Sequence, residues 1–350
     1  MFLKPITVKK AYVDIIASQI AVWMWSNIYR ECFALLKDNE VQNDSSILQE
    51  AIRKGLIYYE NGAFYAQKKF SNSVATELEK IGAKYSRFRR AYVITKENLP
   101  VEIQWSIDTL KARIYSKAMS IGRFLADRAA NLDKLLQKLV FKDAVNAIMK
   151  DLQDRVYRNA KQHQIELITP KLDDFMQDEI AKRYTNNLDF WIKNWTENKI
   201  VQMRAEVGKM AIQGKSLKTI AEYLEKEFGE SQRHAKFLAR NESAIATSSY
   251  LVAKYENEGF THFKWHTIID GRERDLHKEL DGHIFRFDDP PIIDKRTGQR
   301  GIPGQTYNCR CSFSPYVTPE FLQNRRKMFK ANNGLLDGIK QCFKKEKQTA

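Results

Sequence analysis

Residues 261–282 read THFKWHTIIDGRERDLHKELDG, and the character of the chain turns on them. The opening THFKWHTII is rich in aromatic and β-branched side chains and reads as a strand. Immediately upstream, AKFLARNESAIATSSYLVAKYENEG (235–259) reads as a helix. Downstream, HIFRFDDPPII (283–293) is strand-like again. A Gly- and Pro-rich loop, DKRTGQRGIPGQT (294–306), then leads to Cys309-Arg310-Cys311. Residues 230–318 are therefore expected to form a small α+β domain.

Everything before this domain is dominated by helical patterning. One helix rich in Trp and Ile is expected over Lys10–Lys37, with a short one over Ser46–Lys54. In GLIYYENGAFYA (55–66), Asn61-Gly62 between β-favouring aromatics predicts a hairpin. A helix at Ser73–Gly82 precedes YSRFRRAYVIT (85–95), read as a strand. From Pro100 to about Phe228 the chain is nearly all helix. Ile121, Leu125, Leu132, Leu136, Ile148, Leu152 and Val156 mark one long amphipathic helix. Thr169-Pro170 has the form of an N-cap with Pro at the first helical position. Gly214 breaks the pattern, and Ser216 caps a short helix ending at Gly229. The expected fold class is α+β: a mostly helical, elongated N-terminal region with a hairpin-containing segment, followed by the small C-terminal α+β domain. The expected divisions are 1–110, helices with the hairpin; 111–229, helical arms; 230–318, the small domain; and 319–350, a basic tail.

Lys and Arg number 58 against 43 Asp and Glu among 350 residues, a net charge of +15. Such an excess favours polyanions, nucleic acid above all, through phosphate neutralisation and counterion release. The four cysteines, Cys32, Cys309, Cys311 and Cys342, are too few for a secreted disulfide scaffold, so a reducing compartment is expected. The apolar stretch at 12–36 is interrupted by Asp14, Gln19, Asn27, Arg30 and Glu31. It falls short of the roughly 20 apolar residues a membrane span requires, and no membrane association is expected.

His266, Asp270, His277, Cys309 and Cys311, with His283, are candidate metal ligands near one another in sequence. Thiolate and imidazole suit zinc, which takes four ligands in structural sites. Cys-x-Cys is tighter than the usual Cys-x-x-Cys hook, however, so small buried thiols without a metal stay open as the plainer account. A Cys309–Cys311 disulfide is disfavoured by its small ring. His266, Asp270 and His277 are also of the types used as a base and its orienter, and Cys309 as a nucleophile, which keeps a metal-dependent nuclease or toxin-like effector using His277 with Cys309 and Cys311 as an alternative. No phosphate-binding loop or paired-histidine nuclease pattern accompanies them, and no catalytic residue is assigned. Asp270, Arg272 and His277 are read as internal braces of a loop-rich domain.

Two segments are candidates for nucleic-acid contact. Arg87, Arg89 and Arg90 alternate with aromatics, although an edge strand with arginines in water accounts for the pattern more simply. Arg325, Arg326 and Lys327 begin the basic tail, which ends as a phosphate-binding arm or a solvated terminus.

Taken together, Ala239-Arg240-x-Glu242, Trp265, Asp270-x-Arg272-x-Arg274, His277, Leu280-Asp281-Gly282, Pro303-Gly304 and Asn308-Cys309-Arg310-Cys311 resemble the phage Mu F-like minor head protein family, also called the phage head morphogenesis domain. The resemblance implies structural roles for Arg240, Glu242, Trp265, Asp270, Arg272, Gly282, Asn308 and Arg310. Some members of that family carry Cys-x-x-Cys at the positions of Arg274 and His277, and a His near Thr306. These look like zinc binders; here His277, Cys309 and Cys311 stand at ligand positions. The resemblance further implies a non-enzymatic virion component, assembled in the host cytoplasm and lying inside the head near the portal. Its implied partners are the portal protein, the major capsid or scaffolding protein, and non-specifically bound DNA.

Overall fold

Helix α1 (Lys10–Met24) runs through a π-helical turn, Trp25–Tyr29, into α2 (Arg30–Leu36), filling the span expected for one helix. The computed structural model describes residues 1–37, 46–66, 69–169 and 171–330. The chain divides into two compact units. One comprises Met1–Ser18, Val140–Trp191 and Ala235–Ala350; the other comprises Gln19–Leu139 and Ile192–His234. Among the described residues no helix is long and apolar enough to cross a membrane.

In the second of these units, α3 (Ile47–Arg53) opens with a reciprocal cap. The Gln49 N–H donates to Ser46 Oγ at 3.3 Å, and the Ser46 N–H to Gln49 Oε1 at 3.1 Å. Strands β1 (Ile57–Glu60) and β2 (Ala63–Ala66) form the expected hairpin. Asn61 and Gly62 both take positive φ, 51° and 78°, the conformation a two-residue hairpin turn requires. After α4 (Asn72–Lys80), β3 (Lys84–Ser86) and β4 (Ala91–Val93) complete an antiparallel sheet ordered β1-β2-β4-β3. Residues 85–95 are thus a second hairpin rather than one strand: Tyr85 pairs with Tyr92 and Ser86 with Ala91, leaving Arg87–Arg90 as the turn. Four successive exposed residues give a strand no apolar face to bury, so the chain reverses there. Ile57 and Phe64 of the sheet share an apolar core with Leu48 and Ile52 of α3 and with Ile103 and Ile107 of α5 (Val101–Ala130).

The long stripe over 121–156 is not one helix. It divides into α5, α6 (Leu132–Leu136) and α7 (Lys142–Gln162). Leu139 and Phe141 lie in the break and are themselves buried, so burial keeps its spacing where helical hydrogen bonds lapse. Helix α8 (Asp174–Ile212) is capped by Asp173, whose Oδ1 accepts the Phe175 N–H at 2.9 Å, rather than by Thr169. Pro170 lies outside the described residues. Helix α9 (Leu217–Asn257) begins at Ser216, as expected, but passes straight through Gly229.

In the first unit the sheet order is β6 (Ile284–Arg286), β5 (His262–His266), β9 (Ser312–Tyr316), all antiparallel. Phe263 and Trp265 of β5 point into the core, while His262, Lys264 and His266 face the other way. Phe2 bridges Tyr316, so residues 1–3 lie along β9. Strands β7 (Ile292–Asp294) and β8 (Gln299–Arg300) pair separately, and α10 (Asp275–Leu280) fills the interval between β5 and β6. Residues 319–330 are helical. Helices with small antiparallel sheets make the α+β class expected from the sequence.

Candidate functional site

The short helix α10 places His277 at the centre of the site. The imidazole is buried and meets the Trp265 ring in a T-shaped arrangement, ring centroids 5.4 Å apart. His277 Nε2 lies 3.2 Å from the Ile293 carbonyl oxygen, to which it donates. That bond leaves Nδ1 with a free lone pair, and Nδ1 faces two sulfurs: Cys311 Sγ at 3.4 Å and Cys309 Sγ at 3.7 Å. The three ligand atoms lie within 4.8 Å of one another.

The remaining geometry holds this trio in place. Thr267 Oγ1 donates to the His277 carbonyl at 2.6 Å and accepts from Trp265 Nε1 at 2.9 Å. The Thr267 N–H in turn donates to Asp281 Oδ1 at 2.7 Å. On the cysteine side, Asn308 has φ 57°, a left-handed conformation that Asn tolerates and most residues resist. Its N–H donates to Asn241 Oδ1 at 2.6 Å, and its Oδ1 accepts from Arg240 at 2.5 Å. Asn241 Nδ2 donates to buried Glu242 at 2.8 Å, so α9 clamps the turn from which the cysteines emerge. Gly304 sits so close to that helix that an added Cβ would lie 3.3 Å from the Ala244 carbonyl oxygen.

Asp270 is gripped by Arg310 through both carboxylate oxygens and by Arg272 at 2.6 Å. These guanidinium groups, Arg310 first, hold its carboxyl well below the usual carboxylate range. Arg274 donates to Thr306 Oγ1 at 3.2 Å and to the Tyr307 carbonyl at 2.6 Å. Arg274 and Arg310 therefore stitch the 267–274 segment to the 306–311 segment, while Arg272 braces Asp270 from within its own segment. Gly282 takes φ 78° in the turn before β6.

Of the candidate ligands, only His277, Cys309 and Cys311 come together. His266 Nε2 bonds Ser314 Oγ at 2.7 Å on the sheet, Asp270 is occupied by arginines, and His283 is exposed with Nδ1 3.2 Å from the Asp281 carbonyl. The Cys311 thiol bonds the Cys309 sulfur, which draws the Cys309 thiol down while the Cys311 thiol is pushed up. Cys32 is buried with its thiol pushed up to about 12 by burial, an inert core position. Cys342 lies outside the described residues.

The donor types fit zinc, with three of the four ligands that a structural site takes. Two sulfurs and one imidazole nitrogen are the preferred types, and the Nε2–H bond to a backbone carbonyl is the orienting contact that metal-bound histidines make. His277, Cys309 and Cys311 would hold the ion, which would supply a cross-link between α10 and the segment entering β9.

The nucleic-acid candidates fare differently. Arg87, Arg89 and Arg90 lie exposed in the β3–β4 turn, and Arg326 and Lys327 are exposed on the 319–330 helix. Arg325 is not available to phosphate: it is buried and donates to the Glu258 carboxylate at 3.2 Å and to the Glu258 carbonyl. Glu258 also accepts from Lys254 Nζ at 2.7 Å and from the Ile168 N–H at 2.6 Å, making a buried ionic cluster. Sequence reasoning missed Thr267, Asn241 and this cluster. For Glu258 the signal was only an i,i+4 Lys–Glu spacing, common on solvated helices.

Residues 201–314 match the family model described as Phage Mu protein F like protein. A Haemophilus influenzae protein described as uncharacterized is 28% identical over 127 residues. The aligned part is 36% of this chain and 27% of that relative, so the chain spans about a quarter of the relative's length. No solved structure matches. Every side chain of the site, from Arg240 to Cys311, falls within the matched residues, so the site lies in the segment that is similar to the phage Mu protein F like family.

Proposed function

We propose that the protein is a minor head protein of a phage or prophage, acting in capsid assembly without catalysing a reaction. The observation that carries this is the family match over 201–314, the segment in which the braced His277–Cys309–Cys311 site lies. In this reading the protein associates with the portal and with the major capsid or scaffolding protein. It lies inside the head near the portal, beside packaged DNA, where a net charge of +15 favours phosphate contact. Exposed Arg326 and Lys327, with the β3–β4 turn, are the cationic groups offered to that DNA. The site's role is mechanical: arginine and asparagine bonds, with zinc bound by the trio, fix the closing strand β9 and its approach.

Co-purification with portal protein and the presence of the chain in isolated proheads test the assembly role, and absence from proheads ends it. DNA association is tested by titration at several salt concentrations. Expected is a binding constant that falls steeply with salt; binding that ignores salt removes the DNA role.

One observation favours a second reading: the cysteine–histidine trio borders a cleft lined also by Arg272, Glu273 and Arg274. A metal-dependent nuclease would use such groups. Metal-dependent nicking of plasmid by the wild type that is lost in His277→Ala would replace the assembly reading.

A further inference from the structure

We propose that the turn joining β3 to β4 inserts into duplex DNA, with Phe88 as a wedge between base pairs and Arg87, Arg89 and Arg90 gripping the flanking phosphates. The proposal rests on the reading of the protein as DNA-associated. It adds the contacting element and the mode of contact.

Phe88 is 99% exposed. The other aromatics of its sheet all have ring partners: Tyr58 stacks on Tyr65, Tyr59 lies against Phe64, and Tyr85 meets Tyr92 edge-on. The Phe88 ring alone contributes nothing to the fold and pays the hydration penalty of an apolar surface in water. Its position is nonetheless held. The Arg89 N–H donates to Ser86 Oγ at 3.3 Å, and the Arg89 guanidinium reaches across to the Asn61 carbonyl at 3.2 Å. The Ser86–Ala91 pair closes the ladder directly beneath the turn.

Arg90 is the third observation. It adopts φ 49°, a conformation that Gly or Asn accepts more readily and that this position maintains with an arginine. Such an outlier in an exposed turn points to the side chain rather than to the backbone. Arg87 and Arg90 are both exposed. Four consecutive residues thus present three guanidinium groups around one free ring, at the tip of an antiparallel ribbon.

Duplex DNA fits this chemistry. Arginines match phosphate and enter the minor groove, and a single apolar side chain parts one base step and kinks the helix. A membrane surface calls for a broader apolar face than one ring ringed by arginines.

The test uses the full chain with a duplex carrying 2-aminopurine and end labels for energy transfer. Wild type is expected to raise 2-aminopurine fluorescence and shorten the end-to-end distance. Phe88→Ala should lose most of both signals with its salt dependence unchanged, and Phe88→Trp should retain them. Arg87→Ala and Arg90→Ala should each reduce the slope of log affinity against log salt by about 1. Because all three substituted positions are exposed, unchanged thermal melts confirm intact folding. If Phe88→Ala unstacks and bends DNA as the wild type does, the wedge is overturned while DNA association stands. If wild type does not bind duplex DNA, both fall together. Phe88-dependent binding to phosphatidylserine vesicles without DNA unstacking reassigns the turn to a lipid surface and also overturns the proposal.

Discussion

Asn308 shows how a single side chain can serve two demands at once. Its backbone lies in the left-handed region, and its amide oxygen takes the Arg240 guanidinium. Asn308→Ala should destabilise the protein by about 1–3 kcal/mol, combining the strained conformation with a lost charged hydrogen bond. Asn308→Gly relieves the first and not the second, so denaturant melts should place it between Ala and wild type. His277, Cys309 and Cys311 yield a second expectation. The purified chain should carry one zinc per molecule and lose thermal stability in chelator, and His277→Ala should remove both the metal and the chelator effect. Less than stoichiometric zinc with a fold indifferent to chelator refutes it. The trio was legible in the sequence because its residue types are rare and specific. Thr267 and Asn241 were not, since a Thr or Asn announces no partner until the chain is folded. Arg325 misled for the same reason: a basic run shows charge, while its partner Glu258 lies 67 residues away.

Among the elements, local turn chemistry was the readable part. Asn61-Gly62 specified its hairpin because both residues favour the positive φ the turn needs. The β3–β4 hairpin stayed hidden because Arg87–Arg90 contains no Gly, Pro or Asn to mark it. Helix limits failed in both directions. Buried apolar side chains at Leu139 and Phe141 continued the stripe through a break, and Gly229 suggested an end where the helix continues. Gly229 has helical φ, and a Cβ added there meets nothing within 4 Å. Gly229→Ala should therefore raise stability by about 0.5–1 kcal/mol, read as a higher melting temperature, through reduced freedom of the unfolded chain. A fall in melting temperature would show that this stretch of α9 bends or packs differently in solution.

At the scale of the molecule, the α+β class and the likeness of residues 201–314 to the phage Mu protein F like family were visible in ordered motifs, whereas the division into units was not, because it depends on contacts between distant segments. The Lys254–Glu258–Arg325 cluster is one such contact set, joining the 168–169 segment, α9 and the 319–330 helix. Burial alone would raise the Glu258 pKa. Bonds from Lys254 and from the Ile168 and Thr169 N–H groups outweigh it, leaving Glu258 below its ordinary 4.5. The folded state therefore takes up this proton less readily than the unfolded one. The stabilisation is complete above about pH 4.5 and is lost as pH falls through the lower folded value. Urea melts at pH 7 and pH 3 should show the decline, and Glu258→Gln should flatten this part of it. At pH 7 that variant should cost about 3–5 kcal/mol, because it leaves two buried cations without their anion. A variant as stable as wild type at pH 7 would remove the cluster from the account of stability.

The bridge between Phe2 and Tyr316 sets a timetable for synthesis. The Val317 N–H donates to the Met1 carbonyl at 2.8 Å, and Leu3 and Ile6 are buried in the finished fold. At about 5–20 residues per second, roughly 15–60 s separate translation of residues 1–3 from that of residues 315–317. The nascent chain must wait that long with Leu3 and Ile6 without their final cover, open to chaperones. A chain that stops before β9 leaves residues 1–3 with no strand to join.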